Sequence, residues 1–132
     1  MNYRIREYVE EDFESIHNLN ELEGWSNLVE NHEQTKQAWN HSPITLVAEG
    51  EDSTIIGYLR GLTDGSVTAY ICEMLINPEA RGEGIGHALL TSVHDRYPTC
   101  RIEMLASTTS KSYYEQQSFR TFYGFRKASQ EW

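Results

Sequence analysis

Ala69-Tyr70-Ile71-Cys72-Glu73-Met74-Leu75-Ile76-Asn77-Pro78 leads straight into Glu79-Ala80-Arg81-Gly82-Glu83-Gly84-Ile85-Gly86-His87-Ala88-Leu89-Leu90. The first part is apolar apart from Glu73, which predicts a long strand over Val67–Ile76, stopped by Asn77-Pro78. Glycines at positions 82, 84 and 86 then form a loop, and Ile85, Ala88, Leu89 and Val93 recur at helical spacing as far as Tyr97-Pro98. Strand, glycine loop and helix in that order make an anion-binding device. Glycine lets backbone approach a ligand closely and adopt positive φ, while the first N–H groups of the helix face outward with partial positive charge. A nucleoside-triphosphate loop would end in Gly-Lys-Ser/Thr, whereas His87-Ala88 follows Gly86. A dinucleotide fingerprint would need a small residue at position 87 or 89, where His87 and Leu89 stand. A tight glycine turn without a ligand is the plain alternative.

Outward from this stretch, the chain reads as one α/β domain over residues 1–132. Met1–Glu7 lacks the apolar block of a secretory signal, and Tyr3–Val9 alternates as a strand. Glu10-Glu11-Asp12 suits a helix start, with Phe13, Ile16 and Leu19 at helical spacing behind it. The pattern breaks over Glu21–Asn27, and a short helix is predicted over His32–His41, ended by Ser42-Pro43. Strands follow at Ile44–Glu49 and Thr54–Leu62, with a hairpin signal at Asp64-Gly65. After the glycine loop and its helix, Cys100, Ile102, Met104 and Ala106 alternate with Arg101 and Glu103 as a half-buried strand. Ser107–Ser110 opens a helix through Tyr113 and Tyr114 to about Ser118, and Phe119–Lys127 is expected to close the domain as a strand or hairpin.

Charge narrows the partners. A net charge of −9 and a pI near 4.9 repel nucleic acid and anionic lipid and favour a cationic small molecule or basic peptide, although acidic surfaces also serve solubility. No apolar run reaches membrane-spanning length, so no membrane partner is expected. Cys72 and Cys100 match no zinc pattern and read as reduced thiols of a cytoplasmic protein. His17, His32, His41, His87 and His94 show no ligand spacing, so no metal is expected.

Two stretches together carry a resemblance. Arg81, Gly84 and Gly86 match Gln/Arg-x-x-Gly-x-Gly/Ala; Ala106-Ser107 and then Tyr113-Tyr114-Glu115-Gln116-Gln117-Ser118-Phe119 are similar to a Phe-Tyr-Glu-Lys-Leu-Gly-Phe helix ending. Ser118 stands where glycine is usual, and Gln117 where an apolar residue is usual. The pair resembles the acyl-CoA-binding motifs of the GNAT-type N-acetyltransferase superfamily, over about Thr54–Phe125. The resemblance implies a mixed central sheet splayed between two parallel strands and flanked by helices, with acetyl-CoA as acyl donor. It implies pantetheine beside Met74, Leu75 and Ile76, and pyrophosphate on N–H groups of Arg81, Gly82, Glu83, Gly84, Ile85 and Gly86. His87 would stand beside the phosphates, and Ser107 would belong to the acyl-donor site.

Acyl transfer from a thioester to an amine needs a proton acceptor for the amine, a donor for the leaving thiolate and a donor for the oxyanion. The resemblance implies that Tyr114, a phenol protonated at neutral pH, is the general acid. Tyr113 is then expected to point toward the sheet. Glu73, alone in an apolar strand, either faces solvent by alternation or looks into the cleft, and there the resemblance implies a base acting through water. Cys72 should point to the opposite face and is not expected as a nucleophile. Trp25 and Asn27, with Trp39, either flank the acceptor site or pack helices on the sheet. The expected function is transfer of acetyl to a primary amine of a small molecule or peptide. The alternative is a non-catalytic acyl-CoA-binding sensor or interaction module. A homodimer is left open.

Overall fold

In the computed structural model, which describes residues 2–132, the chain runs β1 (Tyr3–Glu7), α1 (Phe13–Glu23), α2 (Ser26–Glu30), α3 (His32–His41), β2 (Ile44–Gly50), β3 (Ile55–Thr63), β4 (Thr68–Ile76), α4 (Ile85–Arg96), β5 (Arg101–Met104) and α5 (Lys111–Gln116). Met1, at the head of the predicted first strand, lies outside the described residues. The sheet has five strands in sequence order. Its first three pairings are antiparallel, and β5 joins β4 in parallel after the α4 crossover. The hairpin read at Asp64-Gly65 is present. Gly65 takes φ 81°, and Asp64 Oδ1 accepts the N–H groups of Ser66, Val67 and Thr68.

Helices cover both faces. On one, Phe13, Ile16 and Leu19 of α1 and Trp39 of α3 bury against Val47, Ile55, Tyr58 and Leu75. On the other, Ile85, Leu89, Leu90 and Val93 of α4 bury against Ile44, Leu46, Leu59, Ala69 and Ile71. Trp39 is 2% exposed, with its ring between those of Tyr8 and Tyr58, so it is a packing residue. Entry to α1 is fixed by Asp12, which ends a 3₁₀ turn at Glu10–Asp12. Its carboxylate takes both Nη groups of Arg6 at 2.8 Å and the Val9 N–H at 2.9 Å, while Arg6 Nε reaches Glu49 at 3.0 Å.

Two expectations are corrected. The break after Glu21 holds an additional helical turn, α2, entered through Gly24 at φ 80°. Phe119–Lys127 is not a strand of the sheet. It extends beside β5 with no backbone hydrogen bond to any strand among the described residues, because a slot of about 920 Å³ separates the two.

Candidate functional site

β4 carries the decisive irregularity. Arg60 faces Glu73, but the next residue, Gly61, faces Ile71, so Cys72 is an extra residue on β4. The insertion changes parity. Ala69 and Ile71 pack on the α4 face before it, Met74 and Ile76 pack on that face after it, and Leu75 turns to the α1–α3 face. Glu73 consequently shares the α1–α3 side with Leu75. Pairing with β5 also stops here, since its last register pair is Ile71 with Met104. From Cys72 to Ile76, β4 has β3 on one edge and no strand on the other, so the two parallel strands part at the bulge. Met74, Leu75 and Ile76 all belong to this free edge.

At the far end of that edge lies the glycine loop. Gly82 and Gly84 have φ of 85° and 80°, and Gly84 forms the N-cap of α4. Among the described residues, the backbone N–H groups of Gly82, Glu83, Gly84, Ile85, Gly86 and His87 meet no acceptor within the fold. Such a cradle fits an anionic group without any lysine. Arg81 is anchored to the same corner. Its Nε donates to the Ile76 carbonyl at 3.0 Å, and its Nη2 meets Glu23, in the last turn of α1, at 2.9 Å. Gly86 leaves room for a neighbouring side chain: a Cβ there would collide with the hydroxyl of Tyr113, which would have to shift.

That contact corrects the expectation for the tyrosine pair. Tyr113 points at the first turn of α4, and one turn later Gln117 meets the exposed His87 ring at 2.7 Å. Tyr114 instead packs on the α4-face core, its ring 5.2 Å from Tyr113 and 5.7 Å from Phe119. Burial, with a smaller push from Tyr113, raises the Tyr114 phenol to about 12, so it holds its proton at neutral pH. Burial raises Tyr113 as well.

Glu73 is not a free carboxylate. Arg60 grips both of its oxygens at 2.7 Å and extends its remaining Nη1 to Ser42 Oγ at 3.1 Å. Burial opposes charge on Arg60, but Glu73 outweighs it and the guanidinium stays protonated. Arg60 was missed from sequence, although a lone cation in the apolar run Ile55–Leu62 was a signal. Counting back from Asp64-Gly65 sets it opposite Cys72, and the bulge moves the match to Glu73. By alternation from Ile71 before the bulge, Cys72 falls on the same side as this pair, not opposite to Glu73 as expected. Burial pushes the thiol up, Arg60 pulls it down and Glu73 adds to the rise, which keeps it protonated.

The remaining candidates divide. Trp25 is half-buried against the α1–α3 core, whereas Asn27 is exposed and its carbonyl accepts bonds from Asn31. Ser107 is exposed in a hydroxyl cluster with Thr109 and Ser110 ahead of α5. Among the described residues no group of three or more His, Cys, Asp or Glu is arranged for a metal, and no helix is long and apolar enough to cross a membrane.

This architecture recurs in solved structures. A GNAT-family acetyltransferase from Streptococcus pneumoniae superposes with TM-score 0.78 at 20% identity, covering 98% of each chain. An acetyltransferase from Trypanosoma brucei gives 0.68 at 20% identity, over 97% of this chain and 99% of its own. A GCN5-related glucosamine N-acetyltransferase region of a fungal multi-domain β-N-acetylglucosaminidase gives 0.69 at 11% identity, covering 90% of this chain and 17% of that one. Such low identities speak for the fold. No curated protein matches the chain in sequence. The family model described as "Acetyltransferase (GNAT) domain", however, matches residues 6–131, and with the splayed sheet and the glycine cradle already in place, the chain belongs to the GNAT acetyltransferase family.

Proposed function

We infer that this chain moves an acetyl group from acetyl-CoA to a primary amine of a small molecule or peptide by direct attack. The carrying observation is the free β4 edge from Cys72 to Ile76, with a cradle of unpaired N–H groups at one end and Glu73 and Tyr114 toward opposite faces of the sheet. A thioester lying along that edge would meet an amine arriving from the Glu73 side and release its thiolate on the Tyr114 side. The amine nitrogen attacks the carbonyl carbon and the carbon–sulfur bond breaks. Glu73 takes the amine proton through a water, and Tyr114 gives its phenolic proton to the departing sulfur. A carboxylate has about four lone-pair sites, of which Arg60 uses two, so Glu73 keeps capacity to accept from water. The net charge of −9 favours a cationic acceptor, with Trp25 and Asn27 on the α1–α3 side where it would arrive. Binding of acyl-CoA without catalysis is the second reading, favoured by the grip of Arg60 on both Glu73 oxygens.

One experiment separates the two. Calorimetric titration with CoA is combined with thiol release from acetyl-CoA across polyamines, aminoglycosides, amino acids and basic peptides. The expected result is CoA binding, lost in Gly84→Val, together with amine-dependent thiol release. CoA binding with no release across the whole panel would favour the binding module.

A further inference from the structure

The cation on β3 is the charged side chain that the acyl-transfer reading leaves without a task. Arg60 stands in the apolar run Ile55–Leu62 with its side chain 15% exposed, and that of Glu73 beside it is 17% exposed. Burial at that depth costs a cation its hydration, and a buried ion pair is often no more stabilising than an apolar pair of the same volume. Stability alone therefore gives little reason for a guanidinium at this point of the sheet. The bulge sets its place. The extra residue at Cys72 brings Glu73 opposite Arg60, and pairing with β5 ends at that same point.

The guanidinium is held from both ends. Nε and Nη2 donate to Oε1 and Oε2 of Glu73, each at 2.7 Å, in a two-point fork. Nη1 donates to Ser42 Oγ at 3.1 Å. Ser42 is the C-cap of α3, where the chain leaves the helix with ψ 140° and the last carbonyls lose their helical partners. Its hydroxyl replaces one of them, donating to the Ala38 carbonyl at 2.6 Å. With its single proton so committed, the Ser42 oxygen meets Arg60 as an acceptor. The partially negative end of α3 thus backs the cation. Among the described residues Arg60 is the one cation paired with Glu73. The other titratable groups that feel Glu73 are the Cys72 thiol and the buried Tyr58 phenol, both kept protonated by burial.

We propose that Arg60, anchored through Ser42 to the end of α3, is a positioning residue that fixes the Glu73 carboxylate toward the open β4 edge. Arg60 reaches Glu73 from the neighbouring strand, so the lone pairs left over are those turned away from β3. On that side β4 has no strand, and there the thioester and the water would lie. A carboxylate already fixed has no orientation to find when the proton moves, and a misplacement of ~1 Å in such a group can cost ~10²-fold in rate. The opposite charge beside it also favours the ionised form, the one able to accept a proton. The proposal rests on the acyl-transfer reading and gives the grip of Arg60 a use within it.

Steady-state thiol release from acetyl-CoA, with the fastest-reacting amine of the panel above and across the pH range, tests it on the full chain. Calorimetric titration with CoA accompanies each variant. Arg60→Lys keeps the charge but replaces the fork with a point contact, so turnover should fall ~10–100-fold with the pH profile unmoved. Arg60→Met removes the charge as well. Its acid limb of turnover should move to higher pH, since a half-buried carboxylate without its cation takes up a proton more readily. Ser42→Ala frees only the far end of the guanidinium and should lower turnover several-fold. CoA affinity should hold in all three, because the cradle lies at the other end of the β4 edge. Wild-type turnover and pH profile in Arg60→Met overturn the proposal and leave acyl transfer standing. A loss in Arg60→Met that is equal at every pH, with weaker CoA binding, marks a merely structural pair and overturns it too. Should Arg60→Met not fold, full turnover in both Arg60→Lys and Ser42→Ala does the same. A wild-type chain with no amine-dependent thiol release removes both the proposal and the reading beneath it.

Discussion

At the residue scale, two adjacent tyrosines have different surroundings. The Tyr114 phenol is raised to about 12 by burial, and the Tyr113 hydroxyl rests against Gly86 and the cradle. Tyr114→Phe keeps the ring and its packing on Phe119, so CoA affinity should hold while turnover falls ~10²–10⁴-fold. Tyr113→Phe should act differently, altering the Michaelis constant for acetyl-CoA with little change in turnover. Steady-state kinetics under conditions where chemistry limits the rate would check both. Full turnover in Tyr114→Phe would remove it from the reaction, and equal losses in the two variants would mark a packing pair. Neither variant touches the Arg60–Glu73 pair, so the acid and base roles can be tested separately.

At the scale of elements, the end of α5 shows why the family pattern has glycine where this chain has serine. Ser118, one residue past the C-cap Gln117, adopts φ 70°, the left-handed conformation that ends helices and suits glycine. The backbone is kept and the residue is not. Holding a non-glycine residue there costs roughly 1–3 kcal/mol, part of which glycine returns through its greater freedom in the unfolded chain. Ser118→Gly should stabilise the protein by about 1 kcal/mol, a rise of roughly 3–5 °C in Tm for a domain of this size. Thermal unfolding measures this directly. A lower Tm would show that the serine side chain contributes more than its backbone costs.

For the whole molecule, the acid limb of stability depends on carboxylates tied across the fold. Burial alone would raise Asp12, yet Arg6 and the Val9 N–H outweigh it and hold its carboxyl below the ordinary range. Glu49, bonded to Arg4 and Arg6, and Asp64, bonded to the turn N–H groups, are lowered too. A depressed folded pKa contributes stability that is fully present above the unfolded value, ~4 for a carboxylate. That contribution fades as pH falls through the folded values. Stability should therefore be level near neutrality and decline below about pH 4. Asp12→Asn should be less stable at pH 7 and show a shallower decline. Denaturant unfolding of both proteins from pH 7 to pH 2 would check it, and parallel curves would show that Asp12 contributes nothing to the acid limb.

The sequence by itself determined the order of the five strands and of α1, α3, α4 and α5, though not α2, together with the Asp64-Gly65 reversal and the glycine loop ahead of α4. These rest on local causes: period-2 and helical spacing, a turn residue with its own acceptor, and positive φ at Gly82 and Gly84. Tertiary structure decided what depends on pairing between distant segments. The extra residue at Cys72 has no local signature, yet it moves Glu73 to the α1–α3 face, onto Arg60, and frees the β4 edge. Which tyrosine meets Gly86 follows from how α5 docks on α4. The residues of Phe119–Lys127 say nothing about which edge a strand there would pair with, and within one chain β5 does not supply one. A strand is completed only by the edge it meets, and edges belong to the assembled fold.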